Sequence, residues 1–323
     1  MPSGASLGEF GRIRAYFAPL AGPGGLGLID DAAIVECPPG QRLVVTADAI
    51  VAGVHFLPDD PPDLVARKLL RVNLSDLAAM GARPRHYLIT TALPRELGDT
   101  WIERFAAGLA EDQKEFGVEL LGGDSVATTG PAALSLTAIG EVAAGGEIRR
   151  SRARPGDVVW VSGTIGDAFL GLAVLRGGHV QLGEAARAYL ADRYRLPQPR
   201  VALGPSLVGL AHAMLDVSDG LLGDLGHICA ASGVAARIAA AALPLSPAAV
   251  ATGEAAARLA AGGDDYELLF CAPRGATESI NQLSRSLGLP VTAIGAIEEG
   301  EGVRLIDDGG RDIEIGETGY RHF

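Results

Sequence analysis

The stretch Val72-Asn73-Leu74-Ser75-Asp76-Leu77-Ala78-Ala79-Met80-Gly81-Ala82 places one aspartate inside a predicted helix. Pro61-Pro62-Asp63 predicts the start of that helix, because proline is well placed in a first helical turn, and Gly81 predicts its end. Apolar residues spaced four and three apart lead to Asp76 by one further step of four, so its carboxylate shares their face. Those residues are Val65, Leu69 and Val72. A carboxylate on a buried face is costly unless it is paired or binds a metal, which makes Asp76 a candidate metal ligand.

Other aspartates follow predicted strands or pairs of glycines. Asp48 ends a predicted buried strand over residues 42–48, and Asp124 follows a predicted strand over 118–121 and a Gly122-Gly123 turn. Any one of them fits a helix cap or a turn residue equally well, but Asp76 cannot cap the helix that contains it. Three further pairs of aspartates have similar places in the sequence. Asp30 and Asp31 lead a predicted strand over 28–35, and Asp216 and Asp219 bracket Ser218. Asp264 and Asp265 follow Gly262-Gly263.

Taken together, these aspartates predict magnesium sites. Mg²⁺ prefers hard oxygen ligands and usually takes one or two carboxylates, with water and substrate phosphates in its other positions. This number of aspartates would therefore serve several ions. The glycines before Asp124 and Asp264 would let backbone N–H groups approach phosphate oxygens. The pattern predicts a magnesium-dependent enzyme that handles the phosphates of ATP in a cleft shared by distant aspartates.

Composition sets the wider class of protein. The 323 residues suggest two domains, and the polar run from Arg149 to Asp157 suggests a boundary that gives domains 1–148 and 149–323. The net charge of -12 argues against a general nucleic-acid binder. We expect no secretory signal, no membrane span and a reducing cytoplasm. The three cysteines are far apart and odd in number, which supports neither a disulfide framework nor a metal knuckle; they are Cys37, Cys229 and Cys271.

Several common motifs are absent or incomplete. The run Gly22-Pro23-Gly24-Gly25-Leu26-Gly27 matches G-x-G-x-x-G, but it contains a proline and precedes a strand-like segment, so we interpret it as a glycine loop that moves over a ligand. The chain has no P-loop and no G-x-S-x-G elbow, and its six histidines lack zinc-site spacing. Strands and helices are mixed in both halves, so the predicted fold class is α/β (α+β).

The chain resembles the thiamine-monophosphate kinase family, in the superfamily that includes aminoimidazole ribonucleotide synthetase. The resemblance spans almost the whole chain in order, and the stretch from Val72 to Ala82 is its most specific part. The other matching stretches are Gly8-Glu9-Phe10, Asp30-Asp31-Ala32, Thr46-Ala47-Asp48, residues 51–56 (VAGVHF), Gly122-Gly123-Asp124, Arg150-Ser151, Arg154-Pro155-Gly156-Asp157, residues 216–221 (DVSDGL), residues 262–268 (GGDDYEL) and residues 319–323 (GYRHF).

The resemblance implies two mixed-sheet domains, a homodimer in which the N-terminal sheets pair, and phosphorylation of thiamine monophosphate by ATP. It implies roles for particular residues as well. The implied magnesium ligands are Asp31, Thr46, Asp48, Asp76, Asp124, Asp216 and Asp219; the implied ATP contacts are Gly123, Asp124, Arg150 and Ser218; and the implied substrate contacts are His55, Asp264, Glu317 and Tyr320. Two departures stand out: Asp264 replaces a frequent Glu, and Glu317 replaces a frequent aromatic residue whose ring Tyr320 would supply.

The acceptor would be a phosphate oxygen that is already ionised near neutral pH, so the implied mechanism assigns no general base. Asp48, Asp124, Asp219 and Arg150 would be the catalytic residues, because metal dications and a planar guanidinium reduce the repulsion between two phosphates. Two alternatives stay open. One is a related ATP-dependent ligase acting on formylglycinamidine ribonucleotide, and the other is a non-enzymatic protein that binds Mg²⁺ and nucleotide.

Overall fold

A computed structural model of the chain describes residues 8–30, 32–314 and 319. The chain divides into two compact units. Unit 1 comprises the described residues up to Leu77 together with Arg83–Ala144, and unit 2 comprises Ala78–Ala82 together with the described residues from Gly145 onward. The predicted domain boundary between residues 148 and 149 stays a prediction. No helix in the described part of the chain is both long enough and apolar enough to cross a membrane.

Unit 1 is built on a four-stranded mixed sheet. The strands lie in the order β1-β4-β2-β3; β4 is antiparallel to both β1 and β2, whereas β2 and β3 are parallel. Short 3₁₀ and π turns occupy Ile13–Leu28 on the N-terminal side of β1. The elements are α1 (Glu9–Arg12), β1 (Gln41–Val51), α2 (Pro62–Ala79), β2 (Arg83–Pro94), α3 (Asp99–Phe116), β3 (Glu119–Thr128) and β4 (Ala133–Ala143).

Helix α2 confirms the prediction made from the Val72–Ala82 stretch. It begins at Pro62 and ends at Ala79, two residues before Gly81, whose φ of 73° is the left-handed conformation that suits glycine after a helix. Its long polar side chains are buried with the apolar ones: Lys68 is 2% exposed and Arg71 is 1% exposed. Arg71 forms a two-bond ion pair with Asp112 of α3, which ties the two helices together.

The two faces of the unit 1 sheet differ. One face is covered and carries Ile50, Leu136 and Ile89, which are at most 4% exposed. The other face is open along both edge strands: Leu43 and Val45 of β1 are 40% and 60% exposed, and Val126 of β3 is 48% exposed. The prediction that residues 42–48 form a buried strand is therefore wrong in one respect, since β1 is an edge strand with only one covered face. The strand also continues past Asp48 to Val51.

Unit 2 contains a six-stranded sheet in the order β10-β7-β9-β5-β8-β6. Pair β10–β7 is parallel and the others are antiparallel, so both units have mixed sheets, as predicted. The Ala-rich stretch forms a strand and then a 3₁₀ turn over Ala240–Ala242, as predicted. The elements are β5 (Val158–Ser162), α4 (Asp167–Leu175), α5 (Glu184–Arg195), α6 (Leu203–Ser206), β6 (Ala213–Asp216), α7 (Leu221–Ser232), β7 (Ala235–Ala239), α8 (Pro247–Val250), α9 (Ala256–Ala260), β8 (Leu268–Ala272), α10 (Thr277–Leu287), β9 (Val291–Glu298) and β10 (Gly302–Ile306).

Candidate active site

Strand β1 and helix α2 bring together three of the predicted metal ligands, Thr46, Asp48 and Asp76, which we call the carboxylate cluster. The Thr46 hydroxyl donates to the Asp76 carboxylate across 2.6 Å. The Asp48 N–H donates to the side-chain oxygen of Asn73 across 3.0 Å, and the Asn73 amide donates in turn to the Leu69 carbonyl. Because Asn73 and Asp76 are one helical turn apart, and Thr46 and Asp48 are two residues apart on a strand, the two carboxylates lie on facing surfaces.

The carboxylate cluster fits magnesium by the chemistry of its donors. Two carboxylates and a hydroxyl are hard oxygen groups, and Mg²⁺ keeps several positions for water and phosphate. Within residues 8–30, 32–314 and 319, no group of three or more His, Cys, Asp or Glu side chains is placed to hold a metal ion. The cluster's two carboxylates and one hydroxyl would supply part of the ligand shell of a Mg²⁺ ion and leave the remaining positions to water or phosphate. Asp31, another predicted ligand, lies outside the described residues.

A cavity of about 630 Å³ lies beside β3 in unit 1. Its polar wall contains Asp30, Thr91 and residues 122–125, and its apolar wall contains Ile13, Phe17 and Leu88 among others. This size and this mixture of apolar surface with a few polar groups are typical of small-molecule sites. We call it the β3 cavity.

The glycines and aspartate of Gly122-Gly123-Asp124 line this cavity from within β3, so the prediction of a Gly-Gly turn before Asp124 is wrong. The strand pairs in parallel with β2 as far as Thr128. A Cβ atom at Gly123 would overlap the Ile89 carbonyl oxygen, which explains the glycine by close strand packing rather than by a turn. The Asp124 carboxylate accepts the N–H of Ser125 across 2.8 Å.

The sheet register separates Asp124 from the carboxylate cluster within unit 1. Asp124 pairs with Thr90, which pairs with Ser135, which pairs with Ala49. Cross-strand partners point to the same face of a sheet, so Asp124 shares a face with Ala49. Successive residues of a strand point to opposite faces, so Asp48, the neighbour of Ala49, lies on the covered face and Asp124 lies on the open face. Asp48 is in β1 and Asp124 is in β3, which are the two edge strands of the sheet and lie three strand spacings, about 14 Å, apart. The predicted cleft that unites all the aspartates stays a prediction.

The segment over residues 28–35 differs from its prediction. No strand is present in the described part of this segment; a 3₁₀ helix over Pro23–Leu28 is followed by irregular chain. The Ile34 N–H donates to the Gly24 carbonyl across 2.9 Å, so the segment folds back on the glycines instead of pairing with a strand. Asp30 lines the β3 cavity instead of leading a strand.

In unit 2, β6 ends at Asp216 and is followed by the loop Val217–Gly220, which carries Ser218 and Asp219. The carboxylate of Asp224 accepts the N–H groups of Ser218, Asp219 and Gly220, each across 3.1 Å. Burial and then the charge of Asp219 raise the pKa of Asp224 to about 6, against the lowering effect of these three bonds.

The segment Gly262–Tyr266 packs against that loop. The Asp264 N–H donates to the Ser218 carbonyl across 2.7 Å, and the Tyr266 N–H donates to the Val217 carbonyl across 2.8 Å. Asp264 and Tyr266 have φ values of 70° and 50°, a left-handed conformation that is unfavourable for residues with side chains. Such strain persists only where surrounding structure enforces it, and it is common at functional sites.

A buried ionic network supports this segment from behind. Glu267, 0% exposed, accepts the Ser162 hydroxyl across 2.6 Å and forms ion pairs with Arg193 and Arg200. Asp265 accepts the N–H groups of Gly166 and Ala168 at the start of α4. Burial raises the pKa of Asp265 to about 8, although Arg193 and these two N–H groups lower it.

Two further predicted residues, His55 and Arg150, are held by bonds of their own. The His55 Nδ1 accepts the Val51 N–H across 3.1 Å, and the His55 carbonyl accepts from the buried Lys68 ammonium across 2.9 Å, so the loop after β1 is fixed from two directions. Arg150 is exposed in unit 2, and its carbonyl accepts the Ser232 hydroxyl. Glu317 and Tyr320 lie outside the described residues.

Sequence reasoning missed Asn73, Asp224 and Glu267, which hold candidate site residues in place. Asn73 stands inside the quoted Val72–Ala82 stretch, one turn before Asp76, and that spacing was the available signal. Asp224 stands in the first turn of α7, where an acidic side chain commonly meets backbone N–H groups. Glu267 offered no local signal, because Ser162 is 105 residues away.

Comparison with known proteins agrees with this arrangement. Residues 29–142 match the family model described as AIR synthase related protein, N-terminal domain, and residues 154–308 match the corresponding C-terminal domain. A thiamine-monophosphate kinase of Caulobacter vibrioides is 43% identical over 330 residues, covering 99% of this chain and 92% of the relative.

Two solved structures are similar over most of their length. The thiamine-monophosphate kinase of Stenotrophomonas maltophilia K279a has a TM-score of 0.81 at 43% identity, covering 88% of this chain and 91% of that one. AaThiL, complexed with AMPPCP and TMP, has a TM-score of 0.79 at 33% identity, covering 98% and 97%. With these relatives and both domain matches, the chain belongs to the thiamine-monophosphate kinase family of AIR synthase related proteins.

Proposed function

We propose that this chain transfers the terminal phosphoryl group of ATP to thiamine monophosphate, giving thiamine diphosphate. Family membership makes the chain a phosphotransferase, and the relative solved with AMPPCP and TMP supports this donor and this acceptor. The structural observation that carries the proposal is the β3 cavity, which joins an apolar wall to Gly123 and Asp124. An apolar wall suits a purine base, while the glycine backbone and nearby carboxylates suit metal-bound phosphates.

The residues are assigned by unit. In unit 1, Gly123 and Asp124 would contact ATP, and Thr46, Asp48 and Asp76 would hold magnesium with Asp31. In unit 2, Ser218 and Arg150 would contact ATP, and Asp216 and Asp219 would hold further magnesium ions. Bound Mg²⁺ would offset the repulsion between the two phosphate groups and stabilise charge on the transferred one. The substrate-contacting residues would be His55, Asp264, Glu317 and Tyr320.

No side chain is assigned as general base, because the acceptor phosphate oxygen is already ionised near neutral pH. The chain's own contribution is to position the two substrates. The carboxylate cluster is held by bonds from Thr46 and to Asn73, and the Ser218–Asp219 loop is held on both sides of its backbone. Such fixed geometry lowers the entropic barrier to transfer. Arg150 would bind a phosphate through its planar guanidinium.

We also propose that two copies pair through the open face of the unit 1 sheet. Leu43, Val45 and Val126 expose apolar surface on that face, and large exposed apolar surfaces are typical of interaction sites. Val45→Glu should therefore shift the chain toward monomer in sedimentation velocity while α-helical circular dichroism is unchanged. A dimer of unchanged stability in that variant would contradict this pairing.

The activity is tested with Asp124→Asn and Asp219→Asn, using Asp192→Asn on the exposed side of α5 as the matched control. Each variant is incubated with ATP, Mg²⁺ and thiamine monophosphate, and thiamine diphosphate is measured. Both site variants should lose at least about 100-fold in rate with unchanged circular dichroism, and the control should match wild type. Wild-type protein that binds ATP without forming product would favour the non-enzymatic alternative, and turnover only with formylglycinamidine ribonucleotide would favour the ligase.

A further inference from the structure

The loop between β6 and α7 is held by one buried side chain, Asp224. A single carboxylate oxygen of Asp224 accepts three consecutive N–H groups, from Ser218, Asp219 and Gly220, each across 3.1 Å. Asp224 is 4% exposed, so water does not compete for these bonds. Three converging bonds from adjacent residues fix the peptide planes of the whole turn.

The opposite side of the same backbone is also occupied. The Val217 and Ser218 carbonyls accept the N–H groups of Tyr266 and Asp264. A Cβ atom at Gly263 would overlap the Ser218 carbonyl oxygen, so the two segments are in close contact. Three N–H groups of the loop face Asp224, and its Val217 and Ser218 carbonyls face Tyr266 and Asp264. Among the residues that the structure describes, no hydrogen bond engages the side chain of Ser218 or Asp219.

This arrangement selects the kind of ligand the loop can take. Converging backbone N–H groups at the start of a helix ordinarily bind a phosphate or another anion. Here the Asp224 carboxylate already fills that position. The loop therefore presents the oxygen atoms of Ser218 and Asp219 to a cation or a hydroxyl donor, and its backbone is not a phosphate cradle.

We propose that Asp224 is a positioning residue for Ser218 and Asp219: it occupies the anion position of the turn and orients both side chains for the reaction. This role rests on the proposed function for its effect on rate, but not for its effect on the loop itself. Loss of the acceptor would release three N–H groups together, and a displacement of about 1 Å at a reacting centre can lower a rate by about 100-fold.

The test compares Asp224→Ala, which removes the acceptor, with Asp224→Asn, which keeps a side-chain oxygen in the same place. Asp157→Ala is the matched control. Asp157 is also a buried aspartate of unit 2, 3% exposed, and it accepts a backbone N–H from Arg154 and pairs with His212, away from this loop. If Asp224→Ala does not fold, Asp224→Ser replaces it, since its shorter hydroxyl cannot reach all three N–H groups.

Two quantities are measured on the full chain: hydrogen exchange of the amides of residues 218–220, and kcat and KM with ATP and thiamine monophosphate. In Asp224→Ala, exchange at these amides should rise by about 100-fold and kcat should fall by about 100-fold, with Asp224→Asn recovering most of both. Asp157→Ala should leave the three amides and kcat unchanged even if it lowers stability.

Unchanged protection of these amides in Asp224→Ala would overturn the proposal, as would an equal loss of kcat in Asp157→Ala. Failure of the proposed function is a separate outcome. If wild-type protein forms no thiamine diphosphate, the exchange measurement still decides whether Asp224 holds the loop.

Discussion

Replacing Glu267 by Gln should destabilise unit 2 by about 3 kcal/mol. Glu267 is fully buried and faces two cations, Arg193 and Arg200, whose side chains are 8% and 18% exposed. Burial alone would lower the pKa of Arg193, but the carboxylates around it raise that pKa above its usual value, so the guanidinium stays charged. Glutamine keeps the size of the side chain and one acceptor for Ser162 but removes the negative charge between the two cations.

The magnitude follows from the charges in this network. Burial raises the pKa of Asp265 and so disfavours its charged form, which leaves Glu267 and Asp167 as the main negative charges that balance Arg193 and Arg200. Removing one partner of a buried ion pair costs about 3–5 kcal/mol, because the other charge is left without compensation. We expect the lower end of that range, since Asp265 can ionise and replace part of the lost charge.

The assay uses the two tryptophans of the chain, one in each unit. In a Trp101→Phe background, Trp160 alone reports, and it lies in β5 beside Ser162. Urea unfolding should show a lower midpoint with an unchanged m-value in Glu267→Gln. The control is Glu278→Gln, which removes an exposed pair with Arg285, 71% and 65% exposed, and should cost at most about 0.5 kcal/mol. A cost below about 1 kcal/mol for Glu267→Gln would show that Glu267 does not carry the charge that balances Arg193 and Arg200.

Three further predictions concern single positions. Gly123→Ala should weaken the binding of AMPPCP, measured by calorimetry, at least about 10-fold, because the added Cβ would push β3 away from the Ile89 carbonyl. The control Gly130→Ala should bind AMPPCP as wild type does, because its Cβ would meet only the Thr128 hydroxyl oxygen, 3.6 Å away. Thr46→Val should lower the free energy of unfolding by about 1–3 kcal/mol in urea titrations followed by Trp101, because the hydrogen bond from the Thr46 hydroxyl to the Asp76 carboxylate is lost. Thr46→Ser should restore most of that free energy. For Asp265, the folded pKa of about 8 lies above the unfolded value, so its contribution to stability is complete at low pH and is lost as pH rises toward 8. Between about pH 5.5 and 7.5, the free energy of unfolding of wild type should therefore fall by about 2–3 kcal/mol relative to that of Asp265→Asn, and parallel pH profiles of the two proteins would contradict the raised pKa.

The sequence predicted best what is determined locally. Helix α2 has proline at its start and glycine after its end, and its apolar spacing carries Asp76 toward β1, so both the helix and its carboxylate were predictable. The strand over Ala235–Ala239 was predictable because glycine precedes it and a turn follows it.

Errors arose where distant chain segments decide the structure. Gly122-Gly123 has the composition of a turn, but these glycines allow β3 to approach the Ile89 carbonyl of β2, which no local pattern reveals. The segment over residues 28–35 has a strand-like composition, but in its described part the Ile34 N–H bonds to the Gly24 carbonyl instead of to a neighbouring strand. The partners of Asp224 and Glu267 likewise follow from tertiary packing, so their support of the candidate site became visible only in the folded chain.

The burial of α2 on nearly every side has a consequence for mutagenesis. A helix with one solvent-facing side accepts substitutions at every third or fourth residue, so a mutational scan of such a helix shows tolerated positions with a helical period. Here Lys68 and Arg71 are as enclosed as Leu69 and Leu70, so a scan should show an unbroken block of intolerant positions. In such a block, a substitution at any one of residues 68–75 should lower the free energy of unfolding, whichever side of the helix it lies on.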